Sequence, residues 1–137
     1  MANYFFASHL LFIPLAAYIV ATALKGVFLS KKWTLNLQSV LSTGGMPSGH
    51  SALVASLATA IGIKHGLFSD LFVLSLLLAA IVIYDAMNIR YQSGLHAHAL
   101  NTMKGDKKLN ESLGHLPSET LAGSFVGVLV AAALMQI

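Results

Sequence analysis

The chain has 137 residues, a length that suits a single domain covering residues 1–137. Hydrophobic residues make up 56% of the sequence and charged residues 9%, whereas soluble domains carry roughly 25% charged residues. Water is therefore excluded as the main solvent, and the composition predicts a membrane protein. The lack of cysteine excludes disulfides and thiolate metal sites, and a net charge of +3 without a basic stripe argues against a nucleic-acid partner.

Four stretches are long and apolar enough to cross a bilayer as helices, which takes about 20 mostly apolar residues. They cover residues 8–29, 47–63, 67–84 and 117 to the C-terminus. Two polar segments remain between them, residues 30–46 and 85–116. The sequence therefore predicts an all-α polytopic membrane protein, built as a bundle of four transmembrane helices.

The basic residues predict an orientation for this bundle. Four crossings put both polar segments on the same side of the membrane, and Lys64 is the one lysine or arginine in the opposite turn. Loops rich in lysine and arginine stay on the cytoplasmic side. We therefore expect a multi-pass protein of the plasma (inner) membrane, with both polar segments in the cytoplasm and both termini outside.

The last predicted helix contains Gly123 and Gly127, four residues apart. Small residues at this spacing lie on one face of a helix and let a second helix approach closely. The partner helix belongs either to the same chain or to a second copy in a homodimer, and the spacing leaves both alternatives open.

Residues 44–51 read Gly-Gly-Met-Pro-Ser-Gly-His-Ser and lead into the second predicted helix. Pro47 is predicted as its first residue, because a missing N–H costs nothing at that position. The unpaired N–H groups that follow would bind an anion, with Ser48 and Gly49 beside a phosphate. His50 would lie one turn in, where it can donate a proton. The alternative is an ordinary loop followed by an interfacial histidine.

Three motifs in order make the chain resemble the divergent branch of the phosphatidic acid phosphatase type 2 superfamily, which also contains the vanadium haloperoxidases. The branch pattern Gly-Gly-Met-Pro-Ser-x-His-Ser-Ala corresponds to residues 44–52. Asp-Ala-x-Gly-Val-Arg with Gly-x-Gln-Ala-x-x-x-Asn corresponds to residues 85–101, and Leu-Gly-His-x-Pro-x-Glu to residues 113–119. The resemblance covers residues 25–123.

The resemblance implies a phosphatase that needs neither metal nor cofactor. One histidine attacks phosphorus and forms a phosphohistidine, a second protonates the leaving oxygen, and basic side chains neutralise the phosphate oxygens. By motif, His50 is the general acid and Arg90 the clamp on two phosphate oxygens. Lys25 and Lys32 have the spacing of the superfamily motif Lys-x6-Arg-Pro, although Trp33 stands at the position of its proline. Lys25 is either a second clamp or a lysine that extends to the lipid headgroups.

The nucleophile has two candidates, His115 and His96. Arg90-x5-His96 has the spacing of the superfamily motif Ser-Arg-x5-His-x3-Asp, but Leu100 stands where its aspartate belongs. His115 lies in the third branch motif, beside the start of the last predicted helix, and we expect it to be the nucleophile. Asp85 either orients a histidine or pairs with Arg90.

The predicted substrate is a phosphorylated lipid, a phosphate or a diphosphate, because the site opens at headgroup depth beside the acyl region. A non-catalytic binder or transporter of phosphorylated lipid, which kept the anion site and lost the nucleophile, is the alternative. The sequence lacks the residues that other histidine chemistry would need. His96 and His98, for example, have no carboxylate that would complete a zinc site.

Overall fold

The computed structural model describes residues 10–28, 44–105 and 108–136, and within these ranges the secondary structure is entirely helical. These ranges contain five helices: α1 (Phe12–Phe28), α2 (Gly49–His65), α3 (Asp70–Met87), α4 (Ile89–Lys104) and α5 (Pro117–Leu134). The prediction of an all-α bundle is confirmed, and α1, α2, α3 and α5 correspond to the four predicted spans.

The polar segment 85–116 contains α4, for which the sequence showed no apolar stretch. α4 follows α3 after a single residue, Asn88, whose backbone N–H donates to the carbonyl of Tyr84 while its carbonyl accepts from Gln92. The helical hydrogen-bond ladder therefore passes almost unbroken from α3 into α4. The helix ends at Gly105, which adopts the left-handed conformation that glycine tolerates best.

The first turn of α2 differs from the predicted one. Pro47 does not open the helix, because Ser48 is its N-cap and Gly49 its first residue. The Ser48 hydroxyl accepts a hydrogen bond from the backbone N–H of Ser51 at 3.3 Å and thereby satisfies one of the unpaired donors of the first turn. At α5 a proline does open the helix, since Pro117 is its first residue.

α2 lies at the centre of the bundle and packs against α1, α3 and α5. Gly123 and Gly127 of α5 are buried against it, and a Cβ at either glycine would meet the backbone carbonyl of Ser48 or Ala52. The two backbones are therefore in direct contact, so the helix that packs against these glycines belongs to the same chain. A homodimer through the same glycines would have to compete with α2.

The outer surface of the bundle is apolar. Leu74 and Ile81 of α3 are 65% and 67% exposed, and most of its other leucines are exposed as well. Two stretches, Asp70–Lys104 and Pro117–Leu134, are long and apolar enough to cross a membrane, and Phe12–Val27 is a shorter apolar helix. An apolar exterior of this extent is stable against lipid and unfavourable in water.

Candidate functional site

Titratable side chains gather at one end of the bundle, where α1 and α3 end and α2, α4 and α5 begin. The charges of Lys25, Asp85, Arg90 and His115 all act on His50, and the charge of Glu119 acts on Lys25. The cluster therefore joins residues from every helix and unites most of the positions predicted from the motifs.

His115 is buried, with 4% of its side chain exposed, and its ring is held in one orientation. Its Nδ1 lies 3.0 Å from Oε2 of Glu119, and its backbone N–H donates to the carbonyl of Ala86 at 2.9 Å. Because a carboxylate only accepts hydrogen bonds, the proton of this contact lies on Nδ1. A histidine oriented in this way by a carboxylate has the geometry of a base or nucleophile.

The other ring nitrogen of His115, Nε2, has no hydrogen-bond partner in the part of the chain that the structure describes. In the neutral ring this nitrogen would offer its lone pair to a group that enters the cluster.

Glu119 is a site residue that the motif analysis missed. The signal was present, because His115-x3-Glu119 repeats the His-x3-Asp spacing of the superfamily motif with a longer acid. The same carboxylate oxygen also accepts the backbone N–H of Leu116 at 3.0 Å and so completes the first turn of α5. Glu119 therefore joins the fold of α5 to the orientation of His115.

Arg90 and Asp85 form an ion pair, with Arg90 Nε 2.6 Å from Asp85 Oδ2. Of the two roles predicted for Asp85, the structure has the pairing with Arg90. The contact uses Nε, so it does not engage the two terminal guanidinium nitrogens, and about half of the arginine side chain is exposed. These nitrogens are the donors that would meet two phosphate oxygens.

His50 lies on the exposed side of the first turn of α2, and its ring and that of Tyr18 form a T-shaped pair with centroids 6.2 Å apart. Its neighbours in the motif have packing roles. The Ser48 side chain is fully buried as a cap, and a Cβ at Gly49 would press on Tyr18 and Thr22 of α1. The N–H groups of Gly49 and His50 remain as the donors of this helix start that could receive an anion.

Lys25 lies in the last turn of α1 and is only 4% exposed. A lysine that extends to the headgroups keeps its ammonium in water, whereas this one lies inside the bundle within range of Glu119 and His50. The burial favours the alternative in which Lys25 faces the site. Lys32, the other residue of that predicted pair, lies outside the described residues.

His96 lies apart from this cluster. Its side chain is exposed on α4, where it lines a small pocket with Leu100 and Leu109, and it is not among the groups whose charges act on His50. The choice of nucleophile stays a prediction, and the geometry favours His115. Within the described ranges, no three histidine, aspartate or glutamate side chains are arranged to hold a metal ion.

Comparison with known proteins agrees with the motifs. The family model described as the divergent PAP2 family matches residues 6–130. The uncharacterized membrane protein YuiD of Bacillus subtilis (strain 168) is 37% identical over 141 residues, which cover 85% of this chain and 87% of that protein. No solved structure matches the chain. A family match over nearly the whole length, together with this relative, shows that the chain belongs to the divergent PAP2 family.

Proposed function

We propose that the protein is a membrane-embedded, metal-independent phosphatase that hydrolyses a lipid phosphate or diphosphate through a phosphohistidine on His115. One observation supports the proposal: His115 is buried with its ring oriented by Glu119, and its charge acts on His50 together with those of Arg90 and Lys25. A histidine that serves only packing would need neither the orienting carboxylate nor the surrounding basic groups.

The first step would be attack by Nε2 of His115 on phosphorus. An N–P bond forms as the bond from phosphorus to the leaving oxygen breaks, and His50 gives its proton to that oxygen. The carboxylate of Glu119 stabilises the positive charge that develops on the attacking ring. Arg90, Lys25 and the N–H groups at the start of α2 neutralise the phosphate oxygens in the transition state.

The second step would release inorganic phosphate. Water attacks the phosphohistidine and gives a proton to His50, which restores the proton that His50 lost to the lipid product, and the N–P bond breaks to restore neutral His115. The lipid product and phosphate together account for all atoms of the lipid phosphate and the water.

The bundle around the site is the reason to propose a lipid. The charged cluster lies at the end of helices whose outer surface is apolar, so a substrate can keep its phosphate in the cluster and its chains in the bilayer. The basic residues beside the site favour the cytoplasmic face. A soluble phosphate ester would gain nothing from a site at this depth.

A binder or transporter of phosphorylated lipid is the second candidate. It is favoured by the 2.6 Å pair of Arg90 with Asp85, which already neutralises part of the clamp, and by Trp33 in place of the motif proline. Such a protein would bind the phosphate at the same basic groups and never form a bond from His115 to phosphorus.

Rapid quench with a phosphate-labelled lipid separates the two candidates. Wild type should trap an acid-labile phosphoenzyme, and His115→Ala should trap none. His50→Ala should lose about 10²–10⁴-fold in turnover, the usual contribution of a general acid, and keep most of the lipid binding. The matched control is His96→Gln, which changes a histidine outside the cluster and should trap label as wild type does.

Activity should survive a chelator and be inhibited by vanadate, which mimics five-coordinate phosphorus. Label trapped in His115→Ala but absent in His96→Gln would assign the nucleophile to His96. Saturable lipid binding by wild type, with neither label nor product, would refute the phosphatase function and favour the lipid-binding alternative.

A further inference from the structure

The segment that connects α4 to α5, residues 108–116, runs back along α4 toward the site, and we call it the return segment. Its contacts move steadily along the helix. Leu109 and Glu111 bond to the Asn101 side chain, and His115 bonds to the carbonyl of Ala86. The return segment and α4 therefore form one continuous seam that ends at His115.

Asn101 forms the far end of this seam. Its side chain is buried on α4, and its Nδ2 donates to the carbonyl of Leu109 at 2.9 Å and to Oε1 of Glu111 at 2.8 Å. Its Oδ1 accepts the N–H of Leu109 at 3.0 Å. An amide is the side chain that supplies both donors and the acceptor at once, so a carboxylate or an apolar isostere cannot replace it.

Two glycines bring the seam into backbone contact between these ends. A Cβ at Gly94 would lie 2.8 Å from the carbonyl of Glu111, and a Cβ at Gly114 would collide with the backbone of Arg90 and Tyr91. Gly114 also has a φ of 82°, which side chains rarely adopt. The residue before His115 is therefore pressed onto the first turn of α4, the turn that carries Arg90.

We infer that Asn101 is a positioning residue of the proposed phosphatase site: it locks the return segment onto α4 and so sets His115 against Arg90. The inference rests on the proposed function. Asn101 lies about 16 Å from Arg90 along α4 and contacts no reacting group. A misplacement of about 1 Å between nucleophile and clamp can cost about 10²-fold in rate, which is the size of effect that the seam prevents.

The test uses the full chain in detergent or vesicles and a reversal of the Asn101–Glu111 contact. In Asn101→Asp the carboxylate meets that of Glu111, and both donors are lost. In Asn101→Asp with Glu111→Gln, the new amide can donate to the new carboxylate. We expect Asn101→Asp to lower kcat about 10²-fold with KM for the lipid unchanged within about threefold, and the double variant to recover about tenfold.

Thr102→Val is the matched control. Thr102 is the next residue of α4 and is exposed, and its hydroxyl donates to the carbonyl of His98 in its own helix, with no other partner among the described residues. Its loss removes a hydrogen bond from α4 and leaves the seam intact, so kcat should stay at the wild-type value. Melting temperatures of all variants show whether a loss of rate simply follows a loss of folding.

A second readout does not depend on turnover. The ring nitrogens of His115 in ¹⁵N-histidine-labelled protein, assigned by their loss in His115→Asn, should shift in Asn101→Asp, and the further shift on adding inorganic phosphate should weaken. Thr102→Val should change neither. If wild type binds phosphate but turns over no lipid, the proposed function fails while this readout still tests the seam.

Unchanged His115 resonances in Asn101→Asp would overturn the inference, whether or not the protein is an enzyme. So would a loss of kcat that Glu111→Gln does not relieve and that matches a lower melting temperature, since Asn101 would then act on folding alone.

Discussion

The pairing of His115 with Glu119 allows a test in which charge is removed and structure is kept. One carboxylate oxygen, Oε2, accepts both the Nδ1–H of His115 and the N–H of Leu116, each at 3.0 Å. In Glu119→Gln the amide oxygen can take that place and keep both bonds. The variant should therefore fold as wild type does, with a melting temperature within a few degrees.

The rate should change much more than the stability. In the proposed reaction His115 gains a positive charge about 4 Å from the carboxylate, and at an effective dielectric constant of about 20 their attraction is about 4 kcal/mol. Since each 1.36 kcal/mol is tenfold in rate, the neutral amide should lower the rate of phosphoenzyme formation by about 10²–10³-fold. The histidine and the acid are both mostly buried, so screening by salt should be small.

Single-turnover quench with labelled lipid measures this rate directly. Asp70→Asn is the matched control, because it removes one negative charge from the first turn of α3 at the opposite end of the bundle. A wild-type rate in Glu119→Gln would refute the role of the carboxylate. A slow rate accompanied by a large drop in melting temperature would show that Glu119 serves only the start of α5.

Three further predictions follow from the geometry. Arg90→Lys should lower kcat/KM for the labelled lipid by about 10–10²-fold, since an ammonium cannot replace a fork of charged hydrogen bonds worth about 1.5–3 kcal/mol each; an unchanged value would remove Arg90 from the clamp. Gly123→Val should lower the melting temperature strongly, since its side chain would meet the Ser48 carbonyl and overpacking costs about 1–3 kcal/mol or more; a stable variant would contradict the contact of α5 with α2. A cysteine at Ser112 should resist an impermeant thiol reagent added to intact cells, whereas one at Phe68, in the opposite turn and 98% exposed, should react; the reverse pattern would invert the orientation.

Helix type and number could be predicted where apolar runs are long. The spans of α3 and α5 follow from composition, because a long apolar run has no stable alternative to a helix in lipid. α4 could not be predicted in this way, because its residues 89–104 mix apolar and polar side chains. Its buried positions, Gly94, Ala97 and Asn101, are defined by the return segment that covers them.

Helical geometry is what favours His115 over His96 as the predicted nucleophile. Arg90 and His96 match a superfamily spacing, but six residues in an α-helix turn the second side chain about 120° away from the first. Once residues 89–104 are helical, His96 cannot share the face of Arg90. The return segment instead brings His115, which follows Arg90 by 25 positions in the sequence, to the end of the bundle where Arg90 lies.

The sequence by itself determined the membrane setting and identified most members of the candidate site, because these depend on composition and on motifs that are read residue by residue. His50, Arg90 and His115 were all identified from such motifs. The tertiary structure decided how each residue acts. Ser48 caps α2, and Glu119 orients His115. Gly49 allows α1 to pack closely against α2, and Gly123 and Gly127 allow α2 to pack closely against α5. Each role depends on which backbone or side chain lies within contact distance of the residue. The packing of helices that are far apart in the chain sets these contacts.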